Sequence, residues 1–287
     1  MSLHKKLEWA VRWWALGDAL GLPVEIKTYQ EIKEQFWTID WFEHIKHNTF
    51  VSKANEQWAF IGDIDDFGYI SDDTILTLAW LQSLINKRKI DIIDLFNEHT
   101  IFVHKFWKRW FGKWTLAALA KIEQWTPPEQ AWSPSRWNGV MMKQLPYAFQ
   151  FVATHTPPEE MDEMIIAIAR CTHTTPIAVL TAVLHNRLLV HLLKQDSQTP
   201  IDRDVLLSDY LTLAEQYEQQ LWYKVENEDN RFVSDIIKEL IKQRAFVKNG
   251  HEYDLETILN TYTVIGTKSW VKYWFHAGST FWYVRRI

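Results

Sequence analysis

Two adjacent carboxylates are the residues of this chain whose type and spacing point most directly to chemistry. Asp72 and Asp73 follow Ser71 and precede an apolar segment that begins near Ile75. Adjacent acids repel each other, and a cleft that holds both requires a cation. A hydroxyl and two acids at a helix start therefore suit a hard divalent metal with oxygen ligands only. Helix capping explains the same residues equally well, because acids are favourable near a helix N-terminus.

Three further segments combine glycine, amide or histidine residues with turn signals. In the first, Asp18 lies between two glycines and Glu25 follows after a proline; in the second, Asn138 precedes Gly139; in the third, His173 lies shortly before a proline. Taken singly, each has a simple structural explanation. These are a capped helix end, a special backbone turn and a histidine that packs or caps.

The elements that must position these residues are predicted to be helices. Apolar residues recur at steps of three and four: Leu76, Ala79, Trp80 and Leu84; Ile165, Ile168 and Ala169; Val179, Ala182, Val183 and Leu188. Strand-like alternation is scarce, and the proline-containing breaks separate helices rather than domains. The pattern predicts one all-α domain that spans residues 1–287.

Composition narrows the class of protein. The chain has 287 residues, a net charge of −5 and 47% hydrophobic residues, which predicts a globular protein without the basic surface that nucleic-acid binding needs. Basic and aromatic residues alternate over 105–114, as in a helix with a solvated basic face or a surface that stacks on a ligand. The single cysteine, Cys171, and the lack of a long apolar run predict a cytoplasmic protein without a membrane span.

Together and in this order, the four segments resemble the signature of the ADP-ribosylglycohydrolase family. That signature reads G-D-A-L-G-x-P-x-E, then T-D-D-T, then N-G-x-x-M-R-x-x-P, then a T-H pair before a helix. Gly112, Thr115 and Ala118 also fit the family, as does the segment from Gly266 to Val271, so the resemblance covers almost the entire chain. It implies an all-α hydrolase that cleaves the glycosidic bond linking ADP-ribose to a protein side chain or a small molecule.

The resemblance also implies a set of site residues. Ser71, Asp72 and Asp73 match metal ligands for Mg²⁺, or Mn²⁺ in some members, and the family binds two such ions. Catalytic roles fall to Asp73 and to Glu25, which would orient or deprotonate the nucleophile at the ribose end of the cleft. The substrate-binding positions are Asp18, Asn138, Gly139 and His173. The expected partner is ADP-ribose or an ADP-ribosylated protein, with no nucleic acid and no membrane.

The sequence departs from this signature in its metal shell. The family closes that shell with a C-terminal D-x-D-T motif, which this sequence lacks. Asp202 with Asp204, and Asp63 with Asp65, have the acid spacing but not the sequence context. Lys143 replaces an arginine and loses its bidentate geometry. Carboxylates from one side alone hold hard cations weakly, so one ion or none is expected here instead of two.

These departures leave three interpretations open. The leading one is a metal-dependent ADP-ribosyl hydrolase that is truncated at its C-terminus relative to the family. The alternative is a catalytically degenerate member that binds ADP-ribose or serves a structural role. A third is an aromatic-rich helical scaffold for protein partners. The sequence does not specify whether the bond cleaved is to arginine, to serine or to another acceptor.

Overall fold

The computed structural model describes residues 2–21, 34, 70–106, 111–134, 139–196, 199, 202–221, 233–235, 237–238 and 241–242. The α-helices with defined bounds are α1 (Leu3–Gly21), α2 (Asp72–Lys87), α3 (Ile92–Lys105), α4 (Lys113–Glu123), α5 (Leu145–Thr154), α6 (Pro158–Arg170), α7 (Pro176–Lys194) and α8 (Arg203–Leu221). Short 3-10 turns occupy Pro128–Gln130 and Met141–Lys143. Over these ranges the only β pairing is an isolated bridge between Ser133 and His173. The predicted all-α class is confirmed.

Local signals in the sequence set the ends of several helices. Pro158 and Pro176 are the first residues of α6 and α7. Proline is favourable at this position, because an N–H there would have no acceptor within the helix. Asp91 caps α3 by accepting a 3.0 Å hydrogen bond from the Asp94 amide. Arg88, with φ of 59°, ends α2 in the left-handed conformation. The proline-containing breaks at 127–128 and 157–158 therefore separate helices, as predicted.

The chain divides into two compact units. The first consists of Met1–Ala131 and Met142–Gln150, and the second of Trp132–Met141 and Phe151–Ile287. Helix α5 begins in the first unit and ends in the second. The single domain over residues 1–287 stays a prediction.

The core of the first unit lies between α2, α3 and the residues just before α4. Ile75, Leu76, Phe111 and Met142 form a buried cluster there. The predicted apolar face of α2 is confirmed, since Leu76, Ala79, Trp80 and Leu84 are all buried. Complete burial of one large apolar side chain contributes about 1.5–3 kcal/mol, so this face holds α2 firmly in place. The first turn of α2, which carries the acid pair, therefore belongs to a helix that is fixed by packing.

The core of the second unit is built by α7 and α8 together with Val233, Ile237 and Ile241. Its buried cluster comprises Leu180, Leu184, Tyr210, Ala214, Val233 and Ile237. Beside it, Arg187 donates two 2.8 Å hydrogen bonds to Asp162, which also accepts a 2.5 Å hydrogen bond from the Tyr217 hydroxyl. This pairing joins α6, α7 and α8 through one buried carboxylate.

Acid should destabilise the second unit through His185. Burial lowers the pKa of this side chain to about 4, whereas an unfolded histidine titrates near 6.5. Between these values the unfolded chain binds more protons than the folded one, so stability falls as the pH drops from about 6.5 to about 4. The full loss is about 3 kcal/mol. About 2 kcal/mol of this loss falls between pH 7 and pH 5, and urea unfolding at these two pH values measures that part.

The matched control for this prediction is His191, an exposed histidine on the same helix. His185→Gln should flatten the pH dependence of the unfolding free energy between pH 7 and pH 5, and His191→Gln should leave it unchanged. Equal slopes for His185→Gln and the parent chain would show that His185 does not control acid stability.

The basic and aromatic stretch does not form one helix. Helix α3 ends at Lys105, and α4 begins at Lys113 after a Gly112 cap. Because its two ends belong to different helices, the prediction of a single helix with a basic face is wrong. Residues 107–110 lie outside the described residues. Cys171 is buried, and its thiol donates a 3.3 Å hydrogen bond to the Ala167 carbonyl. Among the placed helices, none has the length and apolar character to cross a bilayer.

Candidate active site

Asp18 joins the first motif to the second. Its carboxylate accepts hydrogen bonds from the Ser71 amide (2.9 Å) and the Ser71 hydroxyl (2.6 Å). It also accepts hydrogen bonds from the Thr74 amide (3.3 Å) and the Thr74 hydroxyl (2.6 Å). Burial raises the pKa of the Asp18 carboxyl, while these four hydrogen bonds oppose that rise. The carboxylate of α1 thus holds the N-terminus of α2.

Ser71 is the cap of α2. Its hydroxyl accepts a 3.1 Å hydrogen bond from the Asp73 amide while it donates to Asp18. The Thr77 hydroxyl donates to the Asp73 carbonyl at 2.6 Å, one turn further along the helix. These bonds fix the backbone on both sides of the acid pair. The capping interpretation of Ser71 is confirmed, and it does not prevent the Ser71 oxygen from accepting a second contact.

Asp72 is the more deeply buried of the two acids, with 4% of its surface exposed. One oxygen accepts a 3.0 Å hydrogen bond from the Gly112 amide, just before α4. A Cβ at position 112 would lie 3.7 Å from that same oxygen, which is ordinary van der Waals contact. The first turn of α2 therefore meets the start of α4 at this carboxylate.

Lys143 lies buried in the same unit, with 1% of its surface exposed. Its ammonium is 5.6 Å from the centre of the Trp80 ring, within the range of a cation–π contact. Burial lowers the pKa of Lys143 to about 8, and the charges of Asp72 and Asp73 oppose that shift. The ammonium is therefore largely protonated at neutral pH and acts on both acids.

The donor atoms of the acid pair fit a hard divalent cation by type. The Ser71 hydroxyl and the carboxylates of Asp72 and Asp73 offer oxygen only, as Mg²⁺ prefers. Across the portion of the chain that the structure describes, no group of three or more His, Cys, Asp or Glu side chains is placed to hold a metal. The metal site stays a prediction.

The predicted residues of the third and fourth motifs that the structure describes belong to the second unit. His173 is buried, and its Nδ1 lies 2.8 Å from the Thr172 hydroxyl. Its backbone amide donates a 2.8 Å hydrogen bond to the Ala169 carbonyl at the end of α6. Gly139 is buried in a turn. Their roles in substrate binding stay predictions.

Glu25 and Asn138 lie outside the described residues, as do Asp63 and Asp65. Asp202 accepts hydrogen bonds from the amides of Asp204 and Val205, at 3.0 and 3.2 Å. It therefore caps α8 on an exposed surface.

Three residues were missed as contributors to the site. Thr74 donates to Asp18, Gly112 donates to Asp72, and the Lys143 charge acts on the acid pair. Thr74 and Gly112 belong to the family pattern, so their presence there was a signal. The sequence distinguishes Lys143 only as a departure from arginine and gives no sign that this side chain is buried.

Comparison with known proteins identifies the family of the chain. The model of the ADP-ribosylglycohydrolase family matches residues 14–271. The ADP-ribosyl-[dinitrogen reductase] glycohydrolase of Rhodospirillum rubrum is 26% identical over 193 residues, which cover 67% of this chain and 59% of that protein. The chain thus spans about three fifths of the length of this curated relative. Because the family match extends over most of its length, the chain belongs to the ADP-ribosylglycohydrolase family.

Proposed function

We propose that the chain is a metal-dependent hydrolase that cleaves the glycosidic bond of an ADP-ribosylated protein or a related ADP-ribosyl compound. Family membership and the name of the relative support the reaction class. The observation that carries the proposal is the acid pair Asp72 and Asp73, held at the start of α2 by Asp18. Such a rigid, acidic helix start is suited to bind a cation next to a ribose.

The chemistry of the bond explains why carboxylates are needed. Hydrolysis at an anomeric carbon passes through a state with oxocarbenium character, and the attacking water must be oriented and lose a proton. In the proposal Glu25 orients that water or accepts its proton. Asp72 and Asp73 supply fixed negative charge. Asp18 keeps their helix turn in place before substrate arrives, because its carboxylate accepts hydrogen bonds from the flanking residues Ser71 and Thr74.

The proposed cofactor is Mg²⁺, with Mn²⁺ as the alternative ion. Asp72, Asp73 and the Ser71 hydroxyl would hold it. A divalent cation supplies orientation of hydroxyl groups and water, and stabilisation of developing charge. The remaining proposed contacts to ADP-ribose come from Asp18, Asn138, Gly139 and His173. We propose two roles for Asp18. It contacts ADP-ribose directly, and it also positions the start of α2, because its carboxylate accepts four hydrogen bonds from Ser71 and Thr74.

The proposal is tested by release of ADP-ribose from peptides ADP-ribosylated on arginine or on serine. The full chain should release ADP-ribose in the presence of Mg²⁺ or Mn²⁺, and much less in the presence of EDTA. Asp209→Asn, which changes an exposed acid of α8, is the control that should stay active. If the chain binds ADP-ribose but releases none from either peptide, it is the catalytically degenerate binder.

Glu25→Gln tests the proposed role of Glu25 in the chemical step. It should lower the rate of ADP-ribose release by about a hundredfold, because a positioned general base contributes a factor of this order. The affinity for ADP-ribose should change little. A Glu25→Gln chain that keeps full activity, while Asp72→Ala has lost it, would remove Glu25 from the mechanism.

A further inference from the structure

The buried ammonium of Lys143 has no hydrogen-bond partner among the residues placed in the structure. The ammonium lies 5.6 Å from the ring centre of Trp80, which is itself buried and stacks on Tyr147 at a ring distance of 4.2 Å. Burying a charge without a hydrogen bond or a counter-charge is costly. A lysine that keeps its proton in this position therefore needs negative charge nearby to offset part of this cost.

Histidine does not provide that compensation. His99 is fully buried, and its Nε2 accepts a hydrogen bond from the Trp80 indole. Because Nε2 accepts this hydrogen bond, the neutral ring carries its proton on Nδ1, and Nδ1 is therefore a donor that cannot accept a hydrogen bond from an ammonium. Burial, and then the Lys143 charge, lower the pKa of His99 well below its usual value, so the ring stays neutral.

The acid pair is the source of negative charge that acts on Lys143. Among the residues that the structure describes, the charges of Asp72 and Asp73 favour its protonated form. A contact of α2 holds the segment of Lys143 close to the acid pair. The Thr77 hydroxyl lies 2.6 Å from the Asp73 carbonyl and 3.4 Å from the Met142 carbonyl. One side chain of α2 thus links the acid pair to the residue before Lys143.

We propose that Lys143 is the resident counter-cation of the Asp72 and Asp73 pair, a positioning residue that compensates part of their charge and thereby weakens their hold on a divalent cation. The charge pairing is independent of the proposed function, whereas its effect on cation binding rests on that function. An arginine at this position would supply the same charge. A neutral residue would leave the full negative charge of both acids available to an incoming divalent cation.

The charge pairing is tested by a double-mutant cycle on the full chain in EDTA. Lys143→Met alone can shift stability in either direction, because it removes both a buried charge and a favourable interaction. The coupling between Lys143→Met and Asp72→Asn is therefore the diagnostic quantity. We expect a coupling of about tenfold in the unfolding equilibrium constant, measured by urea unfolding with tryptophan fluorescence.

The surface pair of Lys238 and Glu215, 2.8 Å apart, is the control, and its coupling should be less than about fivefold. If the Asp72→Asn chain does not fold, Asp73→Asn takes its place in the cycle. Additive effects of Lys143→Met with whichever of these two substitutions is used would overturn the proposal.

The effect on cation binding is tested by Mn²⁺ titration without substrate. Lys143→Met should bind Mn²⁺ about tenfold more tightly than the parent chain, since removal of one positive charge that acts on the acid pair is worth about this factor. Lys143→Arg should match the parent chain. Equal affinity in all three proteins, or weaker binding by Lys143→Met, would overturn the proposal. Both tests use no substrate, so they separate this inference from failure of the hydrolase activity.

Discussion

Asp72→Asn should reduce the rate of ADP-ribose release by at least about a hundredfold, which corresponds to about 2.7 kcal/mol of transition-state stabilisation. The substitution keeps the size of the side chain and removes its charge. In the proposed mechanism that charge holds the cation beside the ribose, where stabilisation of developing charge is worth a factor of this order. The measurement is release of ADP-ribose under saturating Mg²⁺ with the same ADP-ribosylated peptide.

Helix capping predicts a different outcome for the same substitution. If Asp72 served only the N-terminus of α2, its loss would cost stability and leave activity in the folded fraction unchanged. Asp91→Asn is the control, because Asp91 caps α3 and lies at no predicted site position. Full activity in Asp72→Asn, with a stability change similar to that of Asp91→Asn, would contradict the catalytic assignment.

Asp18→Ala should lower the free energy of unfolding by about 3 kcal/mol. The truncation leaves two backbone amides and two hydroxyls, from Ser71 and Thr74, without their charged acceptor. Hydrogen bonds to a charged group contribute about 1.5–3 kcal/mol each, and some of these donors will find water instead. Urea unfolding of the full chain measures the loss.

Asp18→Asn should recover part of this loss, because an amide oxygen still accepts from the helix start while its NH₂ group donates to a hydroxyl. Glu8→Ala is the control on the same helix, since Glu8 forms an exposed pair with Arg12. An Asp18→Ala chain as stable as Glu8→Ala would show that the bonds between α1 and α2 do not hold the site together.

The helices were predictable because their signals are local. The apolar face of α2 appears as a three- and four-residue period, and burial of Leu76, Ala79 and Trp80 follows from it. Pro158 and Pro176 marked helix starts for a reason contained in one residue. The error over residues 105–114 has the opposite origin. Basic and aromatic alternation resembles a helix face, but a Gly112 cap starts a new helix there.

The candidate site was predictable only as far as its residues are consecutive. Ser71, Asp72 and Asp73 stand together in the sequence, and capping and metal binding both follow from that arrangement. The partnership of Asp18 with Ser71 and Thr74 spans 53 and 56 positions, so only folding reveals it. The burial of Lys143 is likewise a tertiary fact, because a lysine in a sequence is expected to be exposed.

Calorimetric titration of Mg²⁺ into the full chain, with and without ADP-ribose, tests most directly whether the acid pair serves a metal-dependent hydrolase. Mg²⁺ should bind, ADP-ribose should strengthen its binding, and Asp72→Asn should remove the signal. ADP-ribose binding without any Mg²⁺ binding would identify a degenerate family member instead of a metal-dependent hydrolase.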